Sequence, residues 1–252
     1  MIPSRVPLFW PALYEFDNSK LFAKLFQMKL LSKNNAKLLK GESFGWLTLG
    51  LSLAPFNLSG KNLCPHASAG CAAACLFSAG MGAFANVKAA RVAKAKFFNE
   101  QQPEFLAQLE KEIAAAVKSA ARAGKKLAVR LNVLSDVAWE RLNIIQKFPQ
   151  VQFYDYTKNP FRALQFSTGK MPANYHLTFS RSENNQDAVQ NVLNSGGNVA
   201  VVFRGSLPAE YMGKKVVNGD ESDLRFLDKR GVVVGLKAKG AAKKDKSGFV
   251  VR

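Results

Sequence analysis

The chain has 252 residues, 48% of them apolar, with 36 Lys and Arg against 18 Asp and Glu, for a formal charge of +18. That apolar content fills the core of one α/β domain or two small ones and excludes a disordered or low-complexity chain. No apolar run approaches the ~18 residues of a membrane-spanning helix, and Pro3 and Pro7 stand where a secretory signal would carry its apolar stretch, so no membrane and a cytoplasmic setting are expected.

Residues 1–42 read as a basic N-terminal helical extension. Over 18–40, Leu21, Phe22, Leu25, Phe26 and Met28 make an apolar stripe ringed by Lys20, Lys24, Lys29, Lys33, Lys37 and Lys40, and Gly41 ends it. Residues 43–237 form the main domain. It begins with a buried strand over 44–54, rich in Phe, Trp and Leu and stopped by Pro55.

All three cysteines follow within a dozen residues, as Cys64-Pro-His-Ala-Ser-Ala-Gly-Cys71-Ala-Ala-Ala-Cys75. If Ala72 to Ala74 are helical, Cys71 and Cys75 share a face and Cys64 folds over them from the preceding loop. Small neighbours leave backbone N–H groups free to approach an inorganic anion, and thiolates are the usual ligands of iron–sulfur clusters. Three cysteines on a four-iron cluster leave one iron open for a protein ligand, a substrate or the amino and carboxylate groups of S-adenosylmethionine. Zinc is the alternative, because His66 would complete a Cys₃His set; buried free thiols are the bland one. An odd count argues against a structural disulfide.

A helix over 83–99 carries Lys88, Arg91, Lys94 and Lys96, a basic stripe fit for phosphates, for the charge of a cluster or simply for solvent. Another runs from Pro103 to Ala123, with Phe105, Leu109, Ile113 and Val117 inward and Gly124 closing it. Strands are then expected over 127–134, 151–156, 176–180, 199–203 and 232–236, with helices over 137–147, after Pro160 and over 183–193 between the first of them, and turns over 217–228. Six strands alternating with helices imply a parallel sheet, either open and doubly wound or a partial (β/α)6 barrel of the TIM type, and chemistry gathers at the carboxyl ends of such strands.

Those ends are polar here. Asp155, Lys158, Asp220 and Asp223 are the candidate catalytic groups, Asn132, Ser180 and Arg204 the candidate cofactor-binding groups, and Cys64, Cys71 and Cys75 the candidate metal ligands. Some have plainer readings: Ser135 and Asp136 as helix caps, Arg130 and Asp155 as an ion pair between neighbouring strands. The end, 238–252, with Lys239, Lys243, Lys244, Lys246 and Arg252 among Gly and Ala, reads as a flexible basic tail. The charge as a whole favours nucleic acid or a phosphorylated ligand as partner.

A cysteine loop after the first strand of a partial barrel resembles the radical S-adenosylmethionine superfamily, although the intervals here, six and then three residues, are longer than that superfamily's usual ones and no Gly-Gly-Glu segment follows the second strand. That resemblance implies a [4Fe–4S] cluster and radical chemistry on a nucleic acid or nucleotide. The Cys64-Pro-His-Ala-Ser loop, the Arg91 helix, Ser135-Asp-Val-Ala-Trp-Glu140, Tyr154-Asp-Tyr-Thr-Lys158 and Gly219-Asp-Glu-Ser-Asp223 together resemble the phage gene 88 protein family, which implies a phage or plasmid origin and a host-cytoplasmic setting. Two other readings stand beside the enzyme: a nucleic-acid-binding module stapled by a cluster or zinc, and a protein that inhibits a host factor by contact.

Overall fold

The computed structural model describes residues 28–33 and 40–252. The expected helix over 18–40 lies mostly outside them. Its described part is not helical: Leu31–Ser32 is a strand, β1, held where the backbone N–H groups of Leu30 and Leu31 both donate to the Glu112 carboxylate at 2.8 Å.

Nine further strands follow among the described residues: β2 (Trp46–Leu51), β3 (Lys126–Arg130), β4 (Gln152–Thr157), β5 (Tyr175–Ser180), β6 (Val199–Phe203), β7 (Glu210–Tyr211), β8 (Lys214–Asn218), β9 (Val233–Lys237) and β10 (Val250–Val251). They form one open sheet in the order β1-β2-β3-β4-β5-β6-β9-β8-β7, with β10 on β6. Only β1 on β2 and β7 on β8 run antiparallel. The fold is therefore α/β with a mostly parallel sheet that does not close into a barrel. All six expected strands are present, and they lie side by side in chain order. A doubly wound sheet reverses its order at a switch point; here the six expected strands follow one direction, with β8 and β7 beyond β9 and β10 on β6.

Strand residues alternate between faces, and the registers align Leu49 with Val129, Val129 with Phe153, Phe153 with Tyr175, and Phe179 with Val199. This face packs on helices α2 (Ala85–Glu100) and α3 (Gln102–Arg122) at one end of the sheet. At the other end it meets α5 (Pro160–Ser167) and α6 (Gln186–Asn194). In α3, Phe105, Leu109, Ile113, Ala116 and Ala120 are buried at helical spacing, Pro103 opens the helix where its missing N–H is harmless, and Gly124 leaves it at φ 61°. The opposite face carries Arg130, Tyr154, Tyr156, His176 and Thr178 and is covered by the chain around Asp223–Leu227. There Arg130 bonds Asp223 at 2.9 Å across 93 residues, which replaces the expected Arg130–Asp155 pair.

Three further expectations are corrected. The helix over 137–147 is broken: a single 3-10 turn, Trp139–Leu142, is followed by α4 (Ile144–Lys147), because Asn143 between them is left-handed at φ 59°. The turn-rich stretch contains β8, which pairs parallel with β9. The basic end is not a flexible tail: Gly240–Lys244 forms a 3-10 turn, and β10 pairs parallel with the carboxyl end of β6, where β5 has already stopped. Arg181 donates to Phe249 O at 2.9 Å, and Val251 O accepts from Arg204 N at 2.9 Å, so the chain end is stitched onto the sheet.

Candidate metal centre

The cysteine loop leaves β2 and lies at the carboxyl ends of the central strands. Helix α1 (Ala69–Ala73) holds Cys71 in its first turn; Ser68 caps it, accepting from Cys71 N at 3.1 Å. A carboxylate from far along the chain completes the cap: Glu183 accepts from Gly70 N and from Ser68 Oγ, each at 2.7 Å. The helix stops at Ala73, so Cys75 is not on its face as the spacing suggests but in extended backbone just beyond it. Upstream, Asp136 N donates to Leu63 O at 2.8 Å and pins the loop beside Cys64 to the end of β3.

One cation unites the three thiols. Lys158, directly after β4, interacts electrostatically with Cys64, Cys71 and Cys75, and its ammonium makes no hydrogen bond or ion pair among the described residues. Burial alone would lower its pKa, but Cys64, Cys71, Asp136 and Cys75 together raise it. Burial likewise pushes the Cys64 thiol up to about 11, with Lys158 opposing, and raises Cys71 for the same reason. Burial thus disfavours the thiolate form at Cys64 and Cys71, beside an ammonium without a bonded partner among the described residues.

Asp136, expected as a cap, turns out to hold this arrangement. One of its oxygens accepts from Lys158 N at 2.7 Å, the other from Arg162 Nη1 at 2.7 Å. Arg162 in turn grips Glu140 through two bonds of 2.8 and 2.9 Å and reaches Tyr175 Oη at 3.1 Å. Tyr175 donates to Asp155 at 2.9 Å, and Asp155 also accepts from Asn132 N at 2.6 Å and Asn132 Nδ2 at 3.2 Å. Asn132 Oδ1 accepts from Ser135 Oγ, Val137 N and Trp139 Nε1. This buried relay fixes the backbone at Lys158. Glu140 closes the Ser135–Glu140 motif noted in the sequence, whereas nothing local distinguishes Arg162 and Tyr175 there.

The structure therefore separates the sequence candidates. Lys158 stands with the three cysteines. Asp155 and Asn132 belong to the relay, and both are enclosed. Asp220, near the end of β9, accepts from Lys237 N at 2.9 Å and pairs with Lys239 at 2.7 Å. Asp223 is on the opposite face with Arg130. Arg204 donates to the carbonyl oxygens of Lys243 and Asp245 and anchors the C-terminal turn, while Ser180 O accepts from Asn185 Nδ2 at 3.0 Å.

A family model for gene product 88 matches residues 29–252, nearly the whole chain. The chain belongs to the phage gene product 88 family. No curated protein and no solved structure matches it, and none of these findings supports the radical S-adenosylmethionine resemblance. For this gene product 88 member, no helix among the described residues is long and apolar enough to cross a membrane.

Among the described residues, no three His, Cys, Asp or Glu side chains are arranged to hold a metal ion. His66 is exposed, away from the role a Cys₃His site would give it. A single zinc, with Zn–S bonds of about 2.3 Å, needs its donors drawn tightly together. A polynuclear cluster spreads its cysteines over separate irons and carries net negative charge. Three thiols are the ligands this loop could offer such a group, and the Lys158 ammonium beside them is a counter-charge and not a ligand.

Proposed function

We propose that this protein is an iron–sulfur protein in which Cys64, Cys71 and Cys75 bind a [4Fe–4S] cluster with one open iron, on a scaffold of the partial (β/α)6 barrel type. The observation that carries this is the Lys158 ammonium, without a bonded partner among the described residues, interacting with all three cysteines at the carboxyl ends of the central strands. Sequential parallel strands with the loop after β2 support the scaffold. When bound, such a cluster supplies a reducing electron and an open coordination site for S-adenosylmethionine. Lys158 offsets the negative charge of the ligated thiolates, Asp136 fixes Lys158 through its backbone N–H, and the folded C-terminal segment shields the loop from water. The net charge of +18 favours a nucleic acid or nucleotide substrate.

The test is anaerobic reconstitution with iron and sulfide, then dithionite and S-adenosylmethionine. Formation of 5′-deoxyadenosine is expected. Its absence, together with an unperturbed cluster spectrum, would remove the radical mechanism.

One observation favours a second reading, a nucleic-acid-binding protein with a structural iron–sulfur or zinc site. Ala74 at the end of the loop packs on Ala242 and Val250 of the basic C-terminal segment, so a metal that orders the loop also orders that segment. Under this reading, replacing the cysteines by Ser lowers stability and nucleic-acid affinity, and S-adenosylmethionine is inert.

A further inference from the structure

Beside Cys75 lies a cleft of about 200 Å³ lined by Phe56, Cys75, Phe77, Ala79, Gly240 and Ala241 among others. One wall is the cysteine loop and the other is the turn of the folded C-terminal segment. The walls meet closely: a Cβ on Gly240 would lie 3.2 Å from Ala79 Cβ. The lining is mixed, with the rings of Phe56 and Phe77 beside Ser78, and the cleft is smaller than the roughly 300–1,000 Å³ of sites that enclose a whole small molecule. It has room for one ring system and not for a large ligand.

The chain that flanks each wall has its own character. On the cysteine side, Leu76, Met81 and Phe84 are 52%, 72% and 56% exposed. On the other, Lys243, Lys244 and Lys246 follow the Gly240–Ala241 wall; all are exposed, and none pairs with a carboxylate among the described residues. Acidic groups nearby are already engaged: Asp245 accepts from Ser247 and Val250, Asp220 holds Lys239, and Glu183 caps α1. Exposed apolar surface next to unpaired lysines does not match the core of a protein–protein interface, from which Lys is depleted. It matches single-stranded nucleic acid, which is bound through base stacking and phosphate contacts together.

We infer that the cleft at Cys75 takes one unpaired base of a single-stranded nucleic acid whose phosphates run along Lys243, Lys244 and Lys246. This deepens the proposed function, on whose chemistry it rests, by naming the substrate as a base presented from a strand. Duplexes are excluded because a stacked, paired base cannot enter.

The test is fluorescence anisotropy of the full chain with short labelled DNA and RNA single strands, the matching duplexes and a free mononucleotide, with iron measured on the same samples. Single strands bind more tightly than duplex or mononucleotide. Ala241→Trp, at an exposed position of the cleft wall, weakens single-strand binding roughly tenfold and leaves duplex binding unchanged. Lys243→Glu with Lys244→Glu weakens every nucleic acid and flattens the salt dependence. Equal affinity for duplex, tight binding of the mononucleotide alone, or an unaltered Ala241→Trp would overturn the inference, whatever the iron content. A single-strand preference in a sample without iron would uphold the inference, and the iron content of the reconstituted chain judges the cluster separately.

Discussion

At the scale of single residues, the two groups that matter most hold opposite positions. Asp155 has every near acceptor role filled by Asn132 and Tyr175, and burial raises its pKa to about 7, with the Asn132 backbone bond and Arg130 opposing. A carboxyl whose folded pKa lies above its unfolded value binds more protons when folded, so its contribution to stability is largest at low pH and is lost as pH rises through the folded value. Between about pH 4 and pH 7 it lowers stability with rising pH, by up to about 1.4 kcal/mol per unit. Denaturant titrations across that window show a slope that Asp155→Asn removes; an identical slope in the variant would deny Asp155 this role. Lys158 is the reverse case, a cation that burial disfavours and the neighbouring Cys64, Cys71, Asp136 and Cys75 favour. Lys158→Met leaves a folded chain that retains much less iron than wild type after desalting, and equal retention would show that the ammonium is not the cluster's counter-charge. In the metal-free chain, Cys64 with its pKa near 11 alkylates slowly at neutral pH and speeds up through the alkaline range.

At the scale of elements, the C-terminal segment acts as the second wall of the site. Its closeness to α1 is measurable: a Cβ on Gly70 would lie 2.2 Å from Ser247 Oγ and 2.8 Å from both Glu183 Oε2 and Phe249 Cβ. Gly70→Ala therefore forces this contact apart and costs about 1–3 kcal/mol, read from thermal or denaturant unfolding. A neutral result would mean that the segment does not press on the cysteine helix. The six central strands were legible in the sequence because buried parallel strands are short apolar runs between turn residues. The rest was hidden for identifiable reasons. Lys214-Lys-Val-Val-Asn218 carries too much polarity to signal a strand, and β10 contributes only two residues. Cys75 leaves the helix because α1 ends at Ala73, although the Ala run has no breaker in it. The pairing of Asp136 with Arg162 and the capping of α1 by Glu183 join residues 26 and 113 positions apart, a link that no local pattern encodes.

At the scale of the whole molecule, a sheet built strand beside strand in chain order gathers the cysteine loop, Lys158, Asp136, Asp220 and the basic C-terminal turn at one set of strand ends. The chain carries a net charge of +18, which gives it a field attractive to polyanions. Nucleic-acid affinity should accordingly fall steeply as salt is raised, and binding indifferent to ionic strength would leave the charge without this function. The most direct measurement of the central claim is the absorption spectrum, with iron and sulfide analysis, of the chain purified without oxygen. A brown protein with a broad visible shoulder and about four irons and four sulfides per chain is predicted, lost when Cys64, Cys71 and Cys75 are replaced by Ser. A colourless protein that neither contains iron nor takes it up on reconstitution would contradict it.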